Sequence, residues 1–104
     1  MSKLVEVARV ARIPSEGGIT VQLGDLPVAL FNVNGRMLAI DGACIRCSAM
    51  LGSGRVEGHE VICPGCGWRY DLATGHLREV PKLRLDTYEV EVVGPRVMIR
   101  DPFG

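Results

Sequence analysis

The chain has 104 residues, of which 47% are hydrophobic and only 5% aromatic. This is the length of a single domain with a mostly aliphatic core, small enough for a bound metal to supply much of its stability. Twelve basic residues balance twelve acidic ones, so the chain lacks the net positive charge with which proteins hold nucleic acids.

No segment predicts export or membrane insertion. The first residues place charges within their apolar run, unlike a signal peptide, and no stretch approaches the roughly 20 apolar residues of a membrane span. We therefore expect a soluble, cytoplasmic monomer. In a reducing compartment, paired cysteines bind metals or carry out redox chemistry more often than they form disulfides.

Short strands are predicted from the start of the chain. Residues 3–9 are rich in valine and leucine, and residues 19–23 alternate apolar and polar side chains as a half-buried strand does. Residues 28–33 and 36–41 flank Asn34-Gly35. This pair is the strongest short signal for a β-hairpin, because both turn positions take a positive φ.

The second half of the chain continues in the same way. Residues 55–57 and 60–62 flank Gly58-His59, which predicts another tight hairpin. Further strands are predicted at residues 67–72, 87–93 and 96–99. Since no segment keeps a 3.6-residue apolar period over three turns, the predicted class is all-β.

All four cysteines lie in two Cys-x-x-Cys pairs. Cys44 and Cys47 follow the first hairpin, and Cys63 and Cys66 follow the second, with residues 48–62 between the pairs. Each pair aims two thiolates at one point, and two pairs complete a sulfur tetrahedron that suits zinc or iron. We predict these four cysteines as metal ligands. Two disulfides, or inert buried thiols, are the alternative interpretation.

The segments around the cysteines resemble Rieske-type ferredoxins. The resemblance is carried by residues 39–44, 51–58, 61–65 and 67–75, the last containing Trp68-Arg69-Tyr70-Asp71-Leu72-Ala73-Thr74-Gly75. It extends upstream to the Asn34-Gly35 hairpin and downstream to residue 99. It implies one domain, residues 1–104, of Rieske-like antiparallel sheets with a small metal-binding subdomain at about residues 43–80. It also implies electron transfer to transient redox partner proteins.

The ligand positions depart from this family. Its pattern is Cys-x-His and then, after about sixteen residues, Cys-x-x-His, which hold the two irons of a [2Fe-2S] cluster. Cys44 and Cys63 match the cysteine ligands, whereas Arg46 and Cys66 stand at the histidine positions. Because a guanidinium stays protonated and cannot coordinate, we expect Arg46 to face solvent and to offset part of the thiolates' negative charge. An ordinary Rieske cluster is therefore excluded.

The altered pattern resembles the two knuckles of rubredoxin, which hold one iron. Cys63-Pro64-Gly65-Cys66-Gly67 matches the second knuckle, while in the first Ser48 stands where a glycine usually follows. We therefore expect one mononuclear iron, or zinc in its place, in a rubredoxin- or zinc-ribbon-like subdomain. This combination leads to the hypothesis of an engineered site on an archaeal-type Rieske scaffold, whose parent would carry histidine at positions 46 and 66.

Two other occupants remain open. One is a [2Fe-2S] cluster on four cysteines, with Cys44 and Cys63 on one iron and Cys47 and Cys66 on the other. The other is a structural zinc ion without redox activity. A closed four-sulfur site has no position for a metal-bound water, so we expect no enzyme activity.

The remaining polar and aromatic residues near the cysteines are expected to play supporting roles. His59 and His76 fall outside ligand spacing and are predicted in exposed turns. Trp68 and Tyr70 alternate on a strand and are predicted to pack in the core and around the ligands. Pro81 resembles a family proline in a loop that covers the cluster, although a plain turn proline fits as well.

Overall fold

The computed structural model describes residues 3–101, and this range is built from strands without an α-helix. The strands are β1 (Leu4–Arg9), β2 (Gly17–Leu23), β3 (Leu26–Val33), β4 (Arg36–Asp41), β5 (Arg55–Glu57), β6 (Glu60–Ile62), β7 (Arg69–Asp71), β8 (Thr87–Tyr88), β9 (Val90–Val93) and β10 (Arg96–Arg100). Two single-turn 3-10 helices occupy Val10–Arg12 and Leu51–Ser53. The all-β prediction is confirmed. The ends of the predicted domain, residues 1–2 and 102–104, lie outside the described residues.

The strands form three antiparallel sheets. Their orders are β1-β10-β9, β2-β3-β4-β8 and β5-β6-β7. The third sheet lies within the segment predicted as the metal-binding subdomain. Neither helix among the described residues has the length and apolar character needed to cross a membrane.

The β3–β4 hairpin forms as predicted, with φ of 53° at Asn34 and 84° at Gly35. Strand β3 is buried on both faces: Val28 and Leu30 pack in one core cluster, while Ala29 and Phe31 pack in the other. This explains why its sequence is continuously apolar instead of alternating. β3 therefore lies between two core clusters, one of which also contains Cys44 and Cys63.

The predicted strand 87–93 is divided into two. Tyr88 pairs with Ala39 in the second sheet, whereas β9 pairs with β10 in the first sheet. The Tyr88 hydroxyl donates a hydrogen bond of 2.5 Å to the Asp41 carboxylate, which fixes β8 beside β4. The chain then passes from the second sheet to the first at Glu89. The alternation of apolar and polar residues over 87–93 continues through this point, so the sequence does not reveal the change of sheet.

Candidate metal centre

The two cysteine pairs form knuckles with the same backbone hydrogen bonds. In the first, the Ser48 N–H donates to the Cys44 carbonyl at 3.0 Å, and in the second the Gly67 N–H donates to the Cys63 carbonyl at 3.0 Å. Each knuckle is closed by a further bond, from the Cys44 N–H to Ala49 and from the Cys63 N–H to Trp68. The first knuckle thus adopts the conformation of the second despite its different sequence.

Ser48 takes the backbone conformation that glycine has in the second knuckle. Its φ is 63°, against 79° at Gly67. A side chain in this left-handed region costs about 1–2 kcal/mol. The turn that a glycine would relax is therefore made at Ser48 with some strain.

The knuckles bring all four sulfurs together. The Sγ atoms of the four cysteines lie within 4.8 Å of one another. Cys44 Sγ is 3.7 Å from Cys66 Sγ, and Cys47 Sγ is 3.4 Å from Cys63 Sγ. Metal–sulfur bonds of about 2.3 Å give tetrahedral edges of about 3.8 Å. Both of these sulfur–sulfur distances are close to the length of such an edge.

The approach of the knuckles depends on a missing side chain at Gly65. A Cβ at this position would lie 2.8 Å from Cys47 Sγ and 3.1 Å from the Ala49 Cβ. Because both contacts are closer than van der Waals distance, any larger residue would push the first knuckle away from the second.

The four sulfurs differ in exposure. Cys44 and Cys63 are buried in the core cluster that includes Phe31, Cys66 is half-buried, and Cys47 is exposed. The site thus has an inner pair and an outer pair of cysteines. Cys47 is therefore the sulfur of the site that solvent reaches most easily.

The Tyr70 hydroxyl ties the first knuckle to the strand that follows the second. Tyr70 is fully buried; its hydroxyl accepts a hydrogen bond of 2.9 Å from the Ile45 N–H and lies 3.2 Å from Cys44 Sγ. Since a thiolate can only accept, the hydroxyl proton points to the sulfur. The predicted packing role of Tyr70 is confirmed, and the hydrogen bond adds a role that its strand position did not signal.

These hydrogen bonds set the ionisation of the inner cysteines. Burial acts to raise the pKa of Cys44, but Tyr70 and the backbone N–H groups of Cys47 and Arg46 outweigh it and lower the pKa from 9.0 to about 6. Burial raises the pKa of Cys63 to about 12, helped by the neighbouring thiols. In the metal-free chain, therefore, the Cys44 thiol ionises readily, whereas the Cys63 thiol resists ionisation.

Neither histidine belongs to this cluster. His59 and His76 are exposed, as predicted, and His76 Nδ1 is bonded to the Pro81 carbonyl at 2.8 Å. Arg46 is also exposed, and its guanidinium carbon lies 5.0 Å from the centre of the Trp68 ring. The donor set of four thiolates without imidazole does not fit an ordinary Rieske cluster, which takes two histidines on one iron.

Known proteins resemble this chain in sequence and in fold. A family described as "Rieske [2Fe-2S] domain" matches residues 3–89. The ferredoxin component of a naphthalene 1,2-dioxygenase system from Pseudomonas aeruginosa is 32% identical over 98 residues, which cover 93% of this chain and 94% of the relative. The corresponding Pseudomonas putida component is 37% identical over 83 residues, which cover 79% of this chain and 78% of the relative. The solved structure of the Sphingomonas yanoikuyae B1 ferredoxin has a TM-score of 0.86 and 27% identity to this chain. The match covers 96% of this chain and 100% of the ferredoxin.

Replacement of Tyr70 by phenylalanine should raise the pKa of Cys44. In the reduced, metal-free protein we expect the Cys44 thiol to titrate near pH 6. In Tyr70→Phe this step should move to higher pH, because the thiolate loses a hydrogen-bond donor. The ultraviolet absorbance of the thiolate, measured against pH, follows this step in the wild type and in Tyr70→Phe. Cys44→Ser should abolish the step. An unchanged titration in Tyr70→Phe would contradict the assigned hydrogen bond.

Proposed function

The chain belongs to the Rieske [2Fe-2S] domain family, and from this premise we propose that it is a small electron carrier whose four cysteines bind one metal ion, iron in its redox-active form. The relatives described above are ferredoxin components, electron carriers and not catalytic enzymes. The proposed ligands are Cys44, Cys47, Cys63 and Cys66. The proposed organisation is one Rieske-like domain with a metal-binding subdomain at about residues 43–80.

The main observation that supports a single ion is the set of distances between the four sulfurs. A two-iron cluster on this scaffold would place Cys44 and Cys63 on one iron and the outer pair on the other, so that Cys44–Cys66 and Cys47–Cys63 would be contacts across the cluster. Both distances are short, at 3.7 and 3.4 Å, and all four sulfurs lie within 4.8 Å of one another. The sulfurs are thus not divided into two groups, and a mononuclear site fits them better.

A second candidate is a ferredoxin with a [2Fe-2S] cluster on all four cysteines. The family match favours it, since its members are described by that cluster, and the comparisons support this alternative more directly than the mononuclear site. Cys44 and Cys63 are buried and stand at the family's cysteine positions. The sulfur spacing is the observation that favours one ion over this cluster.

The identity of the ion decides between two roles. Iron in a four-thiolate site supplies one-electron transfer, whereas zinc supplies none and only stabilises the fold. The chain's own contribution is the same in both cases: the knuckles fix four sulfurs, and backbone N–H groups of Arg46 and Cys47 donate to Cys44 Sγ. These donors hold the thiolate form and orient it.

The proposed partner is the oxygenase component of a Rieske dioxygenase system or a protein like it. The P. aeruginosa relative is the ferredoxin component of such a system. Cys47 is exposed, and the adjoining Ile45 side chain is 43% exposed. A sulfur at the surface beside an apolar side chain suits a brief encounter, in which a small contact area suffices. The archaeal type of the scaffold and the engineered origin of the metal site stay predictions.

Metal and acid-labile sulfide content tests the proposal. Protein produced with ample iron should contain one iron per chain and no labile sulfide, and a reductant should bleach its colour reversibly. Cys47→Ser, which removes the exposed sulfur, should lose most of the iron, whereas Ser53→Ala, a change away from the sulfurs, should not. Two irons with two sulfides per chain would establish the second candidate, and a colourless zinc protein would leave only the structural role.

The reduction potential of the iron-loaded protein should change little between pH 6 and 9. A proton-coupled one-electron centre shifts by about 59 mV per pH unit, but no imidazole stands at the ligand positions to titrate in this range. Voltammetry at several pH values measures the slope. A slope near the proton-coupled value would mean that a titrating ligand is present and that four-cysteine ligation is wrong.

A further inference from the structure

Arg46 stands beside the proposed ligands, although its guanidinium cannot itself coordinate a metal. It lies inside the first knuckle, and its backbone N–H donates to Cys44 Sγ. Its side chain reaches the second knuckle, where the guanidinium carbon lies 5.0 Å from the centre of the Trp68 ring. This distance is that of a cation–π contact, so Arg46 connects the two halves of the site.

Trp68 is a fixed platform for this cation. Its carbonyl accepts the 2.8 Å hydrogen bond from the Cys63 N–H, and its own N–H donates to Cys66 Sγ. Its partly buried ring packs on the core cluster that contains Tyr70. The Trp68 backbone is therefore part of the second knuckle, and a guanidinium held on its ring stays next to that knuckle.

No carboxylate among the described residues forms an ion pair with Arg46. Within residues 3–101, the ion pairs of the neighbouring hairpin join Arg55, Arg69 and Arg78 to Glu57 or Glu60, at 2.7–3.7 Å. The anionic groups of its own knuckle are the sulfurs of Cys44 and Cys47.

We propose that Arg46, held over Trp68, is a fixed cation that offsets the negative charge of the four thiolates, and that it thereby tightens metal binding and favours the reduced state. This inference rests on the proposed four-cysteine site. Four thiolates around a divalent ion carry a net charge of −2, and around a trivalent ion −1. A nearby cation stabilises the more negative, reduced form more strongly.

Zinc affinity tests the inference without electron transfer. Competition with a chromophoric chelator should find that Arg46→Gln binds zinc about threefold to tenfold more weakly than the wild type at 0.01 M salt. The difference should shrink at 1 M salt, where the screening length falls from about 30 Å to about 3 Å. Arg46→Lys keeps the charge and should bind nearly as tightly as the wild type, while Trp68→Leu should fall toward Arg46→Gln.

Arg55→Gln is the matched control. It makes the same change of charge at an exposed arginine of the adjacent hairpin, whose charge is already paired with Glu57 at 2.7 Å. We expect its zinc affinity to equal that of the wild type. If Arg46→Gln behaves like this control, or if its loss is equally large at both salt concentrations, Arg46 does not act through its charge and the inference is wrong.

The iron-loaded protein gives a second readout. Arg46→Gln should lower the equilibrium constant for one-electron reduction by about threefold to tenfold, where tenfold corresponds to about 59 mV. Arg55→Gln should leave it unchanged. Cys47→Ser separates this inference from the proposed function: if it binds zinc as well as the wild type does, the four-cysteine site itself is wrong and the inference falls with it.

Discussion

Four sulfurs that lie within 4.8 Å of one another are the constraint on which the rest of this structure depends. As thiolates they repel, so their approach needs a cation between them and hydrogen-bond donors around them. The donors come from the backbone of both knuckles and from Tyr70, whose hydroxyl is 3.2 Å from Cys44 Sγ. The β3–β4 and β5–β6 hairpins bring the knuckles to one place, and the core shared with β3 keeps them there.

The sequence predicted those elements whose cause is local. The Asn34-Gly35 pair predicts its turn because both residues tolerate a positive φ. The spacing of the four cysteines predicts a metal site. Both features could therefore be found without a structure. The break at Glu89 depends on the Asp41–Tyr88 hydrogen bond, which joins residues far apart in the chain. Likewise, burial of Tyr70 follows from strand alternation, but its bond to Cys44 depends on how the knuckle packs against β7.

The chain has the fold of its family, and the donor atoms clustered at its site are four sulfurs. The solved Sphingomonas ferredoxin has a TM-score of 0.86 to this chain, and the group of donors in this chain contains four cysteines and no histidine. Fold alone therefore does not determine the cofactor, which depends on the donors at the ends of the hairpins. Because Cys44 and Cys63 are buried and Cys47 is exposed, the site has one face toward the core and one toward the surface.

The measurement that tests this account most directly is X-ray absorption at the iron edge of the purified, iron-loaded protein. Its fine structure reports the number, type and distance of the atoms around the metal. The account predicts a single shell of four sulfurs at about 2.3 Å, with no nitrogen neighbour and no second iron. A short iron–iron distance, or nitrogen in the first shell, would contradict the claim that Cys44, Cys47, Cys63 and Cys66 enclose one ion.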